Sequence, residues 1–376
     1  MRTPARDCRV PTLTLNSMPV SAGARHLRSR TRLAPYVAAV AVMLVALVLL
    51  VRGQVTVDVV ASRLEIPWAL AFAADKRLFV TERPGRVRLV TVSGLQAKPV
   101  AVLPVTERGE SGLLGLTLDP RFDENGYLYV CYTTSGRGDR LVNRVTRLTF
   151  RDGTAGHEVI LLDGMPAAGN HDGCRLKFGS DGKLYITMGD AGEPALAQRL
   201  ESPAGKILRL NAEGSVPTDN PFPGSPIYSL GHRNPQGLAW DRKGRLIAAE
   251  HGPVGHDEIN HIRPGGNYGW PAVWGRAKDA RYIDPILESG RDTWAPSGIA
   301  IRGDDLFVAA LRGWLLRVTL GPDLEVTSVS TILAHKYGRL RDVVVGPDGA
   351  LYVTTSNREG RAIPAPDDDR VLRVAP

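Results

Sequence analysis

The sequence predicts an all-β fold, a six-bladed β-propeller of four-stranded blades preceded by an N-terminal hydrophobic helix. Three observations support the propeller. A β-hairpin phrase, with alternating apolar residues on both sides of a turn rich in Asp and Gly, recurs six times. No long amphipathic helix separates the copies, which disfavours a parallel α/β sheet. Apolar strands also stand at both ends of the repeat region, where they can complete one blade and close the ring.

The repeated hairpin sets the number of blades. The copies cover residues 70–82 (LAFAADKRLFVTE), 116–132, 176–190, 238–250, 299–310 and 343–355 (VVVGPDGALYVTT). A spacing of roughly 45–60 residues leaves room for two further strands per copy, which is typical of a propeller blade. The terminal segments 55–60 (VTVDVV) and 371–374 (VLRV) are expected to share the closing blade.

A charge-free run of nineteen residues, 33–51, precedes the repeats. A helix of that length nearly spans a bilayer core of about 30 Å. Four arginines lie just before it, so the positive-inside rule predicts a cytoplasmic N-terminus and an exported body. We therefore expect a basic cytoplasmic tail over 1–32, a transmembrane signal-anchor over 33–51 and a propeller over 55–376. A cleaved signal peptide, which would leave the body secreted or periplasmic, is the alternative.

The formal net charge of +8 belongs to the tail and not to the propeller. Residues 1–52 hold eight arginines and one acid, whereas the other 324 residues hold 39 basic and 38 acidic groups. We therefore expect no basic groove for nucleic acid. Cys131 and Cys174 would share an oxidising compartment, and the sequence leaves open whether they pair or stay as separate buried thiols.

Polar, Gly- and Pro-rich segments between the hairpins are the candidates for chemistry, because propeller loops converge at one mouth of the central channel. His171, in a Gly-rich loop, faces Asp190 at the end of the same hairpin, as an oriented general base would; a turn-capping histidine is the alternative. Arg233 and Asn234 offer planar donors suited to a carboxylate or carbonyl, or else they only stabilise a turn.

Two further segments indicate a metal and an anion. The carbonyls of Gly252 and Pro253, near two acidic residues, suit a hard cation such as calcium, although such loops are often merely solvated. Arg339 and Arg341 share one strand face, which is unfavourable unless an anion or acids neutralise them, and Arg312 can add a cation at the same mouth. No nicotinamide, P-loop, nucleophile-elbow or zincin motif is present. Together these residues favour a polyanionic small ligand.

Seven phrases, which span nearly the whole body in order, carry a resemblance to a known family. They are 66–90, 110–122 (ESGLLGLTLDPRF), 171–192 (HDGCRLKFGSDGKLYITMGDAG), 204–222, 231–241 (GHRNPQGLAWD), 250–271 (EHGPVGHDEINHIRPGGNYGWP) and 339–361. The body resembles the sugar dehydrogenases that use pyrroloquinoline quinone (PQQ), the glucose/sorbosone dehydrogenase group, most closely its aldose sugar dehydrogenase branch. The resemblance implies a six-bladed propeller, in agreement with the repeat count.

The resemblance also implies roles for the candidate residues. His171 matches the base that takes the C1 hydroxyl proton of the sugar while hydride passes to the quinone, and Asp190 matches the carboxylate that orients it. Arg233 matches the residue beside the reactive quinone carbonyl. The matches to cofactor-binding positions are Asn234, Arg312, Arg339 and Arg341, and the matches to the carbonyls that hold calcium are Gly252 and Pro253.

Departures from the family pattern bear on the substrate. Asn170 stands where glucose-oxidising relatives have Asp, Glu110 replaces a Gln, and Cys174 replaces a Gly. Trp270 and Trp294 are the candidates for a sugar-contacting aromatic residue. The predicted function is oxidation of an aldose to its lactone with PQQ and calcium, with electrons passed to an external acceptor. A calcium-dependent propeller lactonase and a non-catalytic carbohydrate-binding propeller are the alternatives.

Overall fold

The computed structural model describes residues 55–375, and these form six antiparallel sheets in the order that the repeats predict. The predicted tail and membrane segment lie outside the described residues, so the boundaries at 32 and 51 stay predictions. No helix within 55–375 is long and apolar enough to cross a membrane.

The first three blades follow one another along the chain. In blade 1, β2 (Pro67–Phe72), β3 (Leu78–Glu82) and β4 (Arg86–Thr91) are followed by β5 (Gly94–Leu95) and β6 (Ala101–Val102), which both pair with β4. Blade 2 contains β7 (Leu113–Leu118), β8 (Tyr127–Ser135), β9 (Leu141–Arg151) and β10 (Thr154–Pro166). Blade 3 contains β11 (Leu176–Phe178), β12 (Leu184–Met188), β13 (Lys206–Leu210) and β14 (Ile227–Leu230).

The remaining blades complete the ring. Blade 4 contains β15 (Pro235–Trp240), β16 (Leu246–Glu250), β17 (Glu258–Ile262) and β18 (Leu287–Glu288). Blade 5 contains β19 (Pro296–Arg302), β20 (Asp305–Ala310), β21 (Trp314–Leu320) and β22 (Val326–Ala334). Blade 6 contains β23 (Leu340–Val345), β24 (Leu351–Thr355) and β25 (Val371–Ala375), with β1 (Thr56–Ala61) added at its outer edge. The short α1 (Phe122–Asn125) and the 3₁₀ turns Arg137–Asp139 and Pro194–Gln198 lie in connections.

The two chain ends share blade 6, as predicted. β1 pairs antiparallel with β25, with Val57 opposite Val374, so the ring closes by hydrogen bonds between the first and last strands. This closure removes the free edges that an open array would leave at its ends.

The innermost strands of the six blades pack against one another around the channel axis. At Gly298 on β19 the approach is so close that an added side chain would overlap the Asp342 carboxylate of β23. Cys131 on β8 and Cys174, just before β11, form a disulfide with Cα atoms 5.6 Å apart. The structure thus settles the pairing that the sequence left open, and it ties blade 2 to blade 3.

Candidate active site

One mouth of the channel gathers the polar segments singled out in the sequence. Each innermost strand starts at this mouth, and the loops before β11, β15 and β23 carry His171, Arg233 and Arg339. The second strands of the blades end at the same mouth, so the loop after β12 brings Asp190 against Arg233, whose carbonyl accepts the Asp190 amide hydrogen at 2.8 Å. Antiparallel pairing explains this arrangement, because the start of one strand lies beside the end of its partner.

His171 and Asp190 form the pair that the sequence predicts. The imidazole Nδ1 lies 2.7 Å from Asp190 Oδ1, and the Asp190 side chain is fully buried. Trp270 donates its indole hydrogen to Asp190 Oδ2 at 2.8 Å, and the Gly192 amide donates to Oδ1 at 2.9 Å. Burial opposes ionisation of Asp190, but the hydrogen bond and charge of His171 together with these donors lower its pKa. An ionised, fixed carboxylate therefore holds Nδ1 and leaves Nε2 as the other ring nitrogen.

Arg233 and Asn234 lie beside this pair with donors left over. The Arg233 guanidinium sits 5.4 Å from the centroid of the Trp270 ring and donates through Nη1 to the His251 carbonyl at 3.3 Å. Arg233 Nε and Asn234 Nδ2 are buried without a partner among the described residues. Burial lowers the pKa of Arg233. Buried donors without acceptors are costly, so this geometry favours a ligand that brings oxygen atoms.

Arg339 and Arg341 do share one face, and an acid of this chain neutralises them. Glu359, in the loop after β24, pairs with Arg339 through Oε1 and with Arg341 Nη2 through Oε2 at 2.8 Å. Burial would raise the pKa of Glu359, but the two guanidinium charges lower it to about 2. Both arginines nonetheless keep a buried Nε without a partner within residues 55–375.

Gly252 and Pro253 lie in the loop after β16, next to the donors of Arg233. Within residues 55–375 neither carbonyl accepts a hydrogen bond, which leaves both free to bind a cation. The nearby Asp257 carboxylate is buried and accepts the amides of Gly252, Trp294 and Ala295 at 2.6–3.0 Å, so it shapes the loop instead of facing a metal. The described part of the chain contains no cluster of three or more His, Cys, Asp or Glu side chains with metal-binding geometry.

Arg312 is the predicted site residue that the structure does not join to the others. Its side chain is exposed and, within residues 55–375, forms no hydrogen bond or ion pair. It lines a cavity of 540 Å³ with Trp294 and Trp314. The Trp294 side chain forms no hydrogen bond within residues 55–375, whereas the Trp270 indole donates directly to Asp190.

Several further residues lie at this mouth, of which the sequence singled out only Glu110, as a departure from the family pattern. Glu110 accepts a charged hydrogen bond from Arg361 at 2.8 Å, and the charges of Arg361 and Arg341 lower its pKa although burial opposes this. His251 has a buried, unpartnered Nε2, and burial lowers its pKa to about 3. His251 precedes Gly252 in the same loop motif, so the sequence could have indicated it. Nothing in the sequence indicates that Glu359 reaches Arg339 and Arg341, or that Arg361 reaches Glu110.

The arrangement can move a proton and hold an anion. His171 is an imidazole oriented by an ionised carboxylate, as a general base requires. The unpartnered buried donors of Arg233, Asn234, Arg339, Arg341 and His251 surround the same mouth and fit a ligand rich in carbonyl and carboxylate oxygens. The two free carbonyls of Gly252 and Pro253 fit a hard cation bound jointly with such a ligand.

Comparison with known proteins gives a consistent result. The family model for glucose/sorbosone dehydrogenase matches residues 64–364. Aldose sugar dehydrogenase YliI of Escherichia coli is 35% identical over 351 residues, which are 83% of this chain and 92% of that protein. Among solved structures, a putative oxidoreductase (glucose dehydrogenase) from Thermus thermophilus is 49% identical, with a TM-score of 0.81 and coverage of 86% and 100%. The PQQ-bound aldose sugar dehydrogenase of Streptomyces coelicolor is 36% identical, with a TM-score of 0.79 and coverage of 86% and 98%.

Proposed function

The chain belongs to the glucose/sorbosone dehydrogenase family, and we propose that it is a quinoprotein that oxidises an aldose sugar at C1 to the lactone. The observation that carries the proposal is the His171–Asp190 pair at 2.7 Å beside buried, unpartnered donors of Arg233 and Asn234. A base next to a site for an anion is what sugar oxidation by a bound quinone requires. The PQQ-bound state of the Streptomyces coelicolor relative supports the choice of cofactor.

His171 is the proposed base. Asp190 fixes Nδ1 as the protonated nitrogen, so Nε2 is the atom that accepts the C1 hydroxyl proton of the sugar. Trp270 holds the second oxygen of Asp190, which prevents the carboxylate from rotating away from the imidazole. Arg233 then places positive charge where negative charge develops during the oxidation.

Arg233, Asn234, Arg339 and Arg341 are the proposed ligands of PQQ, and the carbonyls of Gly252 and Pro253 are those of calcium. When bound, PQQ supplies the two-electron acceptor and calcium polarises its reactive carbonyl. Glu359 holds Arg341 of β23 and Arg339, the residue just before β23, in place before the cofactor arrives. Arg312 would join this set through a side-chain rearrangement, because its guanidinium is exposed and unpaired within residues 55–375. The electrons pass on to an external acceptor.

The proposed location is outside the cytoplasm, with the segment 33–51 as a membrane anchor or, if cleaved, as a signal peptide. The arginines before this segment support that orientation. The Cys131–Cys174 disulfide supports it independently, because disulfides persist mainly in oxidising compartments.

The His171→Ala variant tests the proposed function. We expect purified wild-type protein to show quinone absorbance and sugar-dependent dye reduction once PQQ and calcium are added. His171→Ala should bind PQQ like the wild type and lose at least about 100-fold in kcat, because only the proton acceptor is removed. His157→Ala, at an exposed position of β10, is the matched control and should keep full activity. Full activity in His171→Ala, or no quinone binding by the wild type, would refute the proposal, and lactone hydrolysis without quinone would favour a lactonase.

A further inference from the structure

The opposite mouth of the channel holds a cavity that the proposed function does not use. Its volume is 610 Å³, and it is lined by the last residues of all six innermost strands, whereas the candidate active site lies at their first residues. Most of the lining residues have apolar side chains, among them Phe72, Leu116, Phe178, Trp240, Ile301 and Val344, although polar groups contribute nearly as much of the surface that faces the cavity. This size is typical of sites for small molecules.

The waist of the channel separates this cavity from the candidate active site. Arg175 is buried there, with its guanidinium 4.1 Å from the centroid of the Trp68 ring and Nη1 3.0 Å from Asp342 Oδ2. Gly298 approaches Asp342 so closely that no side chain would fit between them. A ligand in the cavity would therefore occupy a site of its own.

Lys177 on β11 is the one cationic side chain in the cavity lining. Its ammonium donates to the Ile299 carbonyl at 3.3 Å, a long hydrogen bond, and its other two hydrogens have no partner within residues 55–375. The nearest acid, Asp342, is already engaged by Arg175 and by the Leu70 amide at 2.8 Å. Burial lowers the pKa of Lys177 to about 8, although the charge of Asp342 opposes this shift. Arg175 and Lys177 therefore share one carboxylate at the cavity floor.

The outer rim of the cavity has the opposite charge. Asp119 and Asp123 line it, and Asp119 is fixed by the Tyr129 hydroxyl at 2.9 Å and the Arg121 amide at 2.9 Å. A ligand with one carboxylate can place it at the floor and keep its body in the apolar funnel. A second carboxylate at the far end of the same ligand would meet the two aspartates and be repelled.

We propose that this cavity binds a small monocarboxylate with an apolar body, whose carboxylate forms an ion pair with Lys177. The apolar lining supplies affinity by burying the body, and the single ammonium fixes the orientation. The rim aspartates select against dicarboxylates. The inference is independent of sugar oxidation, since it involves no residue of the other mouth.

Titration of octanoate into the full-length protein, without cofactor or sugar, tests this proposal. We expect saturable binding of one octanoate per chain by calorimetry, with a change in tryptophan fluorescence that Trp240→Phe reduces. Lys177→Met, an apolar replacement of similar length, should weaken binding at least about tenfold, since one charged hydrogen-bonding partner is lost. Lys243→Met is the matched control at an exposed position and should bind octanoate like the wild type.

Two further ligands complete the test. Suberate, the dicarboxylate of the same chain length, should bind at least about tenfold more weakly than octanoate, and the affinity for octan-1-ol should be the same in wild type and Lys177→Met. The thermal unfolding midpoint of Lys177→Met verifies that the variant is folded. Absence of saturable octanoate binding, equal affinity in wild type and Lys177→Met, or suberate binding as tight as octanoate would each overturn the proposal.

Discussion

Replacing Asp190 by Asn perturbs the proposed base without removing it. The carboxylate accepts three hydrogen bonds, from His171 at 2.7 Å, Trp270 at 2.8 Å and Gly192 at 2.9 Å. An asparagine has only one acceptor oxygen, so its amide nitrogen must take the place either of Oδ1, which faces His171 and Gly192, or of Oδ2, which faces Trp270. If the amide faces His171, Nδ1 becomes an acceptor and the proton moves to Nε2, which can then no longer take a proton from the sugar.

The expected cost follows from this loss of orientation and tautomer. A general base contributes about 10²–10⁴-fold to kcat, and a base in the wrong orientation or tautomer loses most of this rate enhancement. The loss corresponds to an increase of about 3–5 kcal/mol in the activation barrier. PQQ affinity should change less than threefold, because the Asp190 side chain forms no hydrogen bond with the donors assigned to the cofactor. Steady-state dye reduction gives kcat, and titration of PQQ absorbance in the presence of calcium gives the cofactor affinity.

Trp270→Phe is the matched control for this prediction. It removes one hydrogen bond to Asp190 but keeps the His171–Asp190 bond and the aromatic ring below Arg233. We expect kcat to fall less than about tenfold in that variant, since a single hydrogen bond contributes about 1 kcal/mol. If Asp190→Asn retains kcat within tenfold of the wild type while fully loaded with PQQ, the assignment of Asp190 as the orienting carboxylate is wrong.

Two further predictions concern stability. The pKa of Glu359 is lowered from 4.5 to about 2 in the fold, so its stabilisation is complete above pH 4.5 and is lost as the pH falls through 2. Glu359→Gln should therefore lower the free energy of unfolding at pH 7 by about 3 kcal/mol, and by less at pH 3; equal urea midpoints of the variant and the wild type at pH 7 would contradict this. The Cys131–Cys174 bridge closes a loop with a sequence separation of 43. Replacing both cysteines by alanine should therefore lower the free energy of unfolding by about 4 kcal/mol. Urea unfolding of the variant and of the wild type, with and without reductant, measures this difference, and a value below about 1 kcal/mol would contradict the prediction.

Much of the fold could be predicted because its information is local and repeated. Each hairpin copy specifies its own turn and its own alternation of buried and exposed residues, and six copies impose the ring. The closure between β1 and β25 was predictable from apolar segments at the two ends of the body. Blade 1 has two short outer strands, β5 and β6, which both pair with β4. These could not be predicted, because strands of two residues carry no periodic signal.

The candidate site was predictable where its residues follow hairpin boundaries. His171, Asp190 and Arg233 lie beside strands whose order fixes their neighbours, and the structure brings them together. Glu359 and Arg361 come from a long loop after β24 whose path depends on tertiary contacts, so no spacing rule predicts that they reach Arg339, Arg341 and Glu110. The polar character of Arg339 and Arg341 indicated a neutralising anion, and the sequence could not tell an internal acid from a ligand.

The lengths of the connections explain why the two mouths of the channel differ. The turns from first to second strand are short, such as 303–304 between β19 and β20, and they cannot hold many functional groups. The connections from second to third strand lie at the other mouth and can be long, such as 189–205 between β12 and β13, which carries Asp190. The acids of these turns, Asp119 and Asp123, lie at the rim of the cavity, so the half-buried ammonium of Lys177 depends on groups of the channel itself for its stabilisation.

The waist of the channel supplies only part of that stabilisation. Lys177 is attracted by Asp342, but Asp342 also neutralises Arg175, whose Nε donates to the Gln236 carbonyl at 2.8 Å. Gln236 in turn accepts from Arg341 Nη1 at 2.8 Å, so the polar chain continues to an arginine of the proposed cofactor site. Because one carboxylate serves two cations, an anion placed against Lys177 would free Asp342 to pair more strongly with Arg175. Lys177→Met should remove this competition for Asp342, and the PQQ affinity of that variant measures whether the two mouths are coupled.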